Sequence, residues 1–409
     1  KVGHRAPTTK NMLSLITGMY HLVRMRLAKF RAGPNRSGVD GLPLEVLERA
    51  AYGFAYMGVA RSLGLVMRSA RKGLASGEPR YVGRGLVHAA FGMISNHPER
   101  PTVIDELLDR AAAIGREQGD PEVEALAIRV RGESHFMYGN LATAARLVNE
   151  ATALMTERCR GVGFHRRFGT LIGARAALLS GDVEQARATG ATLLGEAIDR
   201  EDPVCADSVR IALLAFADIL RDRVDAADLQ LEQTNEDIRC GNLAFRAESK
   251  SLLAMYRGDV AGARAIWRRY MPSIKYDGLL FVPGFRLMIV RGHCIALLAN
   301  GGRREAAEAK RWRRSLRSWR FAAAIATSAC IDANFAMLAD EREQAITHLE
   351  RARDQYASSG FRLDAATAAF ARARLSGQDD EPAAAELRAC GVVSPERWTA
   401  AWYPRIAAG

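Results

Sequence analysis

The sequence predicts an all-α chain, a right-handed α-solenoid of helix-turn-helix repeats, and three observations carry that expectation. Of the 409 residues 48% are apolar, yet only 7% are aromatic and Pro occurs 13 times, a mixture that favours helices over strands. A small–turn–small pattern recurs six times along the chain. Around each turn the apolar residues repeat with the period of a helix rather than that of a strand.

A long apolar stretch ends in Gly or Asp, and an Ala follows five residues on: Gly139/Ala144, Gly181/Ala186, Asp222/Ala227, Gly258/Ala263, Gly301/Ala306 and Asp340/Ala345. Seven residues before each turn stands another small residue, namely Gly132, Ala174, Ala215, Ser251, Cys294 and Ala333. Two antiparallel helices approach closely only where both contact residues are small. The turn residue must also end the first helix, which Gly or Asp does at low cost. Within 343–356, Ala345, Ile346, Leu349, Ala352 and Tyr356 form one apolar stripe. Asp120-Pro121, Asp202-Pro203 and Ser394-Pro395 each place a capping residue before Pro, as a helix start requires.

This pattern resembles the tetratricopeptide repeat, with that family's Gly-x-x-x-x-Ala turn. The turns here are 36 to 43 residues apart, so the array is a divergent one. The small position seven after the turn Ala is kept at Ala151 and Ala352 but is Leu193, Thr234, Tyr270 and Arg313 elsewhere. Four divisions follow: a basic amphipathic helix and linker over 1–43, degenerate helix pairs over 44–119, the repeat array over 120–376 and capping helices over 377–409. In the first, residues 9–31 carry Met12, Leu13, Leu15, Ile16, Met19, Tyr20, Val23 and Leu27 ahead of a Gly/Pro linker at 33–38. In the second, Gly58, Leu65 and Ala70 fit the repeat offsets, and 82–118 reads as a pair broken at 96–101. The last holds Trp398 and Trp402. Roughly 16–20 helices are expected, at two per repeat.

Charge is unevenly placed. Residues 1–100 hold 16 Lys/Arg against 5 Asp/Glu, whereas the rest hold 42 against 41. A basic head can meet a membrane face, nucleic acid or an acidic partner, although packing against the array or an upstream module is the preferred reading. The six cysteines (Cys159, Cys205, Cys240, Cys294, Cys330, Cys390) are scattered and read as reduced, buried small hydrophobes of a cytoplasmic protein. No signal peptide and no membrane-length apolar run is present. The chain starts at Lys1 rather than Met, so it is expected to be the C-terminal part of a longer protein.

Both ends resemble one family more closely. Gly3-His4-Arg5-Ala6-Pro7, the hydrophobic–basic helix, the linker and a helix with Glu48, Arg49, Ala50 and Tyr56 look like the start of a known helical region. It is the C-terminal region, similar to tetratricopeptide repeats, of bacterial signalling ATPases of the STAND class. Gly391, Pro395-Glu396-Arg397 and Pro404 resemble its close, with Pro404-Arg405-Ile406 in place of a Pro-Gly-aromatic finish. That resemblance implies a sensor and interaction arm, bound to an upstream nucleotide-binding domain and often fused to a Ser/Thr kinase or nucleotide cyclase.

Signatures of catalysis are absent from the residues. There is no phosphate-binding Gly-x-x-x-x-Gly-Lys-Ser/Thr loop, no Gly-x-Ser-x-Gly elbow and no His-Glu-x-x-His. None of the eight histidines pairs at metal-ligand spacing, and carboxylates are placed at helix starts and turns, where capping accounts for them. No cofactor, metal or catalytic residue is expected. The chain reads as a non-enzymatic interaction or ligand-sensing scaffold. The alternatives are the inducer-sensing arm of a transcription activator, and an enzyme with a toroidal cavity lined by paired acids. Partner candidates are the Arg/Trp helix over 310–320 with Arg311, Arg314 and Arg317, the adjoining Trp267, Arg268 and Arg269, and the loop residues Arg160, Arg166 and Arg167. Arg forks and indole faces suit an acidic or phosphorylated protein or peptide, met along the concave groove.

Overall fold

Helix follows helix through the residues described by the computed structural model, 9–34, 42–55, 59–94, 97–236 and 241–406, and no strand forms among them. Gly3-His4-Arg5-Ala6-Pro7, linker residues 35–38, Tyr56, Gly58, Asn96, Cys240 and the side chain of Met12 lie outside that description. The head contributes α1 (Thr9–Leu27), α2 (Leu42–Ala55), α3 (Val59–Ser76), α4 (Pro79–Met93) and α5 (Val103–Glu117). The pairs then run α6 (Pro121–Met137) with α7 (Leu141–Arg158), and α8 (Gly163–Leu179) with α9 (Val183–Asp199). A third first helix is split by a π-turn, Arg210–Leu214, into α10 (Pro203–Val209) and α11 (Ala215–Leu220), and its mate is α12 (Val224–Glu232). Next come α13 (Gly241–Tyr256) with α14 (Val260–Tyr276), α15 (Pro283–Leu298) with α16 (Arg303–Arg314), and α17 (Ala322–Leu338) with α18 (Arg342–Ser358). α19 (Arg362–Ser376), α20 (Glu381–Ala389) and α21 (Pro395–Trp402) end the chain. Most helices pack mainly on their sequence neighbours, the arrangement of an α-solenoid, while α1 packs on α3 and α21 on α13 and α19. The π-turn accounts for one helix more than the expected range.

The turns work as their residue types require. Gly139, Gly181 and Gly258 take φ of 77°, 88° and 78°, the left-handed region that Gly enters without strain. The residue after each, Asn140, Asp182 and Asp259, caps the following helix by accepting from its backbone N–H groups. Asp222 and Asp340 take the same left-handed role at 57° and 61°. All six small residues ahead of the turns are buried, and a Cβ on Gly132 would stand 2.8 Å from Val148 Cγ1.

The Gly301 pair departs from the expected register. α15 stops at Leu298, Gly301 is not left-handed, and Gly302 occupies the N-cap position with Glu305 reaching back to it. The longer turn makes Ala309, rather than Ala306, the fully buried contact. Asp120 and Asp202 cap their helices as expected, while Ser394 holds the cap position without a capping bond. The expected helix over 310–320 ends at Arg314. Beyond it Leu316 N–H donates to Arg313 and Trp319 N–H to Leu316, tight turns that bury both side chains.

The array closes on itself. The turn of the first pair sits on the start of α17 and on the link between α18 and α19: Leu141 N–H donates to Ser359 O at 3.3 Å, and Tyr138 meets Phe321 edge-on at 5.2 Å. Gly181 and Val183 of the second turn pack against Cys390 and Gly391, and Val393 N–H donates to Leu220 O at 2.9 Å. α21 inserts Trp398 beside Phe216 and is held by Asn334 Nδ2, which donates to Trp402 O. The chain's own C-terminal helices thus pack against first helices of the array. Per-pair rotation, accumulated over six pairs, brings distant turns into contact.

Candidate functional site

Where the first helices face one another across the closed array, charged residues interrupt otherwise apolar sequences. Arg175 of α8 follows the small contact Ala174 and is 3% exposed. Its Nη2 donates to Glu248 Oε2 of α13 at 2.6 Å, and its Nη1 to Ala212 O at 2.7 Å. That carbonyl belongs to the π-turn, and Ser249 Oγ donates to Ile211 O beside it. A π-turn needs such outside donors where its own ladder is widened. The Arg175 guanidinium also lies over the Phe216 ring, 4.4 Å from its centre.

A second pair stands nearby. Arg291 Nη1 of α15 is 2.9 Å from Asp364 Oδ1 of α19, and the same nitrogen reaches Tyr356 Oη at 3.4 Å. Thr327 Oγ1 lies 3.4 Å from that phenol, and the Arg291 guanidinium stacks 4.1 Å from the Trp402 ring centre. Burial pushes the Glu248 carboxyl above its ordinary range, with the Arg175 charge acting against that push. Arg291, although burial opposes its charge, is held above the ordinary guanidinium range by Asp364, Tyr356 and Glu248. Two cations balance two carboxylates, so the cluster is neutral as a whole. Removing one member would strand a buried charge.

Between these pairs lies a cavity of about 70 Å³. Its wall mixes aromatic rings, Phe136, Phe245, Phe285 and Phe361, with the polar groups of Arg175, Glu248, Arg291, Thr327 and Tyr356. By the space one water centre needs, it has room for about five waters or a ligand of similar size. The lining includes one carboxylate, Glu248, already engaged by Arg175. Paired acids, which the toroidal-enzyme alternative requires, do not meet there.

The residues nominated from sequence fall elsewhere. α14 and α16 supply none of the cavity lining. Arg268, Arg311, Arg314 and Arg317 are exposed, and no ion pair forms at any of them among the described residues. Trp267 is wholly buried and brackets His293 together with Trp312, at ring distances of 6.0 and 5.6 Å. Arg269 is paired with Glu236, Arg166 with Glu196 and Arg167 with Asp202, while Arg160 is exposed. Arg166 and Arg167, expected in a loop, lie in the first turns of α8, and they are not assembled with the 310–320 cations into one site. The sequence also suggests carboxylates at helix starts and in turns, yet Glu48, Glu133, Asp207 and Glu248 are buried inside helices, while Asp364 is buried in the first turn of α19. Their signal was the break they make in an apolar helix face. Among the described residues no cluster of His, Cys, Asp or Glu could hold a metal ion, and no disulfide forms. Cys294, Cys330 and Cys390 are buried as expected, whereas Cys159 and Cys205 are half-buried.

No family model matches this chain, and no curated protein is similar to it.

Proposed function

We propose that the chain is the ligand-sensing regulatory scaffold of a multidomain signalling ATPase, with the axial cavity as its sensing site. The observation that supports this reading is where the cavity lies: Gly139 of the first turn and Ala323 of α17 both border it, so occupancy acts on the contact that closes the array. The fitting ligand is small and amphipathic, its apolar body against the Phe rings and its polar group toward Arg291, Tyr356 and Thr327. The resemblance of the chain ends to the STAND class supplies the ATPase context, and the free cysteines fit a cytoplasmic setting. An inducer-sensing arm of a transcription activator would use the same cavity and differ in the domain attached to it.

Thermal unfolding with a panel of small amphipathic carboxylates, amides and amines tests the site. A binding compound raises the Tm of the wild type by mass action, and Met288→Trp, which fills the cavity, removes the rise. A panel with no stabilising compound, or equal stabilisation of both proteins, contradicts the reading.

A second reading rests on the outer surface. The unpaired Arg268, Arg311, Arg314 and Arg317 offer forks to an acidic or phosphorylated protein partner. Replacing Arg311, Arg314 and Arg317 together by Ala abolishes that binding and leaves helicity intact; unchanged binding would sink the site.

A further inference from the structure

The orientation of α1 reverses what its composition leads one to expect. Its core-facing side is Gly18, Leu22 and Met25, and a Cβ added at Gly18 would stand 3.3 Å from Gly64 Cα of α3. That close approach fixes which face points inward. Outward point Leu13, Ile16, Met19, Tyr20, Val23 and Leu27, each between 49% and 78% exposed. Half of the large hydrophobic residues exposed among the described residues lie on this one helix; the others are scattered singly. A scattered exposed residue is ordinary, and a continuous stripe is not.

The borders of the stripe are cationic. At 100° per residue, Arg24 falls on one edge and Arg26 on the other. Lys29 and Arg31 follow the helix end, and burial, then the charges of Arg71, Arg68 and Arg24, hold the pKa of His21 below its ordinary value. Arg24 donates to Tyr20 Oη at 2.9 Å, holding a phenol and a cation together on the outer edge. α1 contains no carboxylate, and Arg24, Arg26, Lys29, Arg31 and Arg68 form no ion pair among the described residues. The stripe from Leu13 to Leu27 is about 21 Å long. No helix of the described residues is long and apolar enough to cross a membrane.

We infer that α1 docks the protein on an anionic lipid surface, its aliphatic stripe in the acyl boundary and its flanking cations among the headgroups. Charge complementarity selects this occupant. A second copy would bring like-charged borders face to face, and a nucleic acid would leave the aliphatic stripe unused. Tyr20 suits the interface, and arginine stems reach outward from it.

Co-sedimentation of the full chain with vesicles decides it. Binding is expected to phosphatidylcholine vesicles containing phosphatidylglycerol, weakened by salt, and not to phosphatidylcholine alone. Arg24→Gln with Arg26→Gln lowers the partition coefficient by about 25-fold, from roughly fivefold per cation. Ile16→Ser with Val23→Ser abolishes binding; both side chains are exposed, so an unchanged Tm verifies the fold. Absence of vesicle binding, or equal binding to both compositions, overturns the inference. So does binding of polyglutamate in place of vesicles, or dimerisation that the Ser pair removes.

Discussion

Substituting Gly139 by Ala measures the closure of the array directly, because a matched control exists at Gly258. The two glycines have nearly the same backbone, φ 77° and 78°. A side chain in that region costs about 1–2 kcal/mol, partly offset by about 0.4–1 kcal/mol from the stiffer unfolded chain. At Gly258 nothing lies within 4 Å of an added Cβ, so Gly258→Ala should destabilise by about 1 kcal/mol. At Gly139 the added Cβ would fall 2.4 Å from Ala323 Cβ and 3.3 Å from Phe361 Cε2. Overpacking of that kind adds about 1–3 kcal/mol, for a total of about 2–4 kcal/mol. The added part belongs to a contact between the first and sixth pairs. Ala323→Gly should therefore relieve it, leaving a coupling of at least about 1 kcal/mol in a double-mutant cycle. Urea unfolding followed by far-UV circular dichroism reads all four proteins. Equal losses for Gly139→Ala and Gly258→Ala, with additivity toward Ala323→Gly, would refute the closing contact.

Two further outcomes follow from the buried charges. Arg175→Met strands Glu248 and should cost about 3–5 kcal/mol, and adding Glu248→Leu should recover most of it; denaturant unfolding of the single and double variants checks this. His165 is buried, and burial followed by the charges of Arg129, His88 and Arg84 holds its pKa well below 6.5. The unfolded chain then binds the proton first, so this histidine's contribution is complete above pH 6.5 and is lost as the pH falls below it. His165→Gln should flatten the fall of Tm between pH 7 and 5, with a difference approaching about 1.4 kcal/mol per pH unit. Parallel pH profiles would contradict the assignment.

Local pairing was legible in the residues because a turn leaves a chemical mark. Gly139, Gly181 and Gly258 mark left-handed turns, and Gly132, Ala174 and Ala333 mark close helix contacts. The Gly301 turn misled because two adjacent glycines offer two registers, and Glu305 selects the second by capping Gly302. Trp312, Leu316 and Trp319 have helical spacing, yet the chain turns after Arg314 and still buries Leu316 and Trp319. On α1 the apolar residues outnumber those a core face needs, and composition alone could not say that Gly18, Leu22 and Met25 take the inside. The cavity was out of reach for a different reason. Arg175, Glu248, Arg291 and Asp364 come from four helices that meet only once the superhelix has turned through several pairs. Repeat spacing reports neighbours, and pitch emerges from small rotations that no single pair encodes.

The distance between the first and sixth pairs reports closure of the array itself. Ala142 and Ser358 are exposed on either side of the Leu141–Ser359 hydrogen bond. Ala142→Cys and Ser358→Cys, in a background with Cys159, Cys205 and Cys240 changed to Ser, can carry a pair of spin labels for a pulsed dipolar measurement. The closed array predicts a single narrow distribution at the short end of the measurable range. An open solenoid, with neighbouring helix axes about 8–10 Å apart, would separate the labels by on the order of 50 Å. That longer distance would contradict closure and the axial cavity with it.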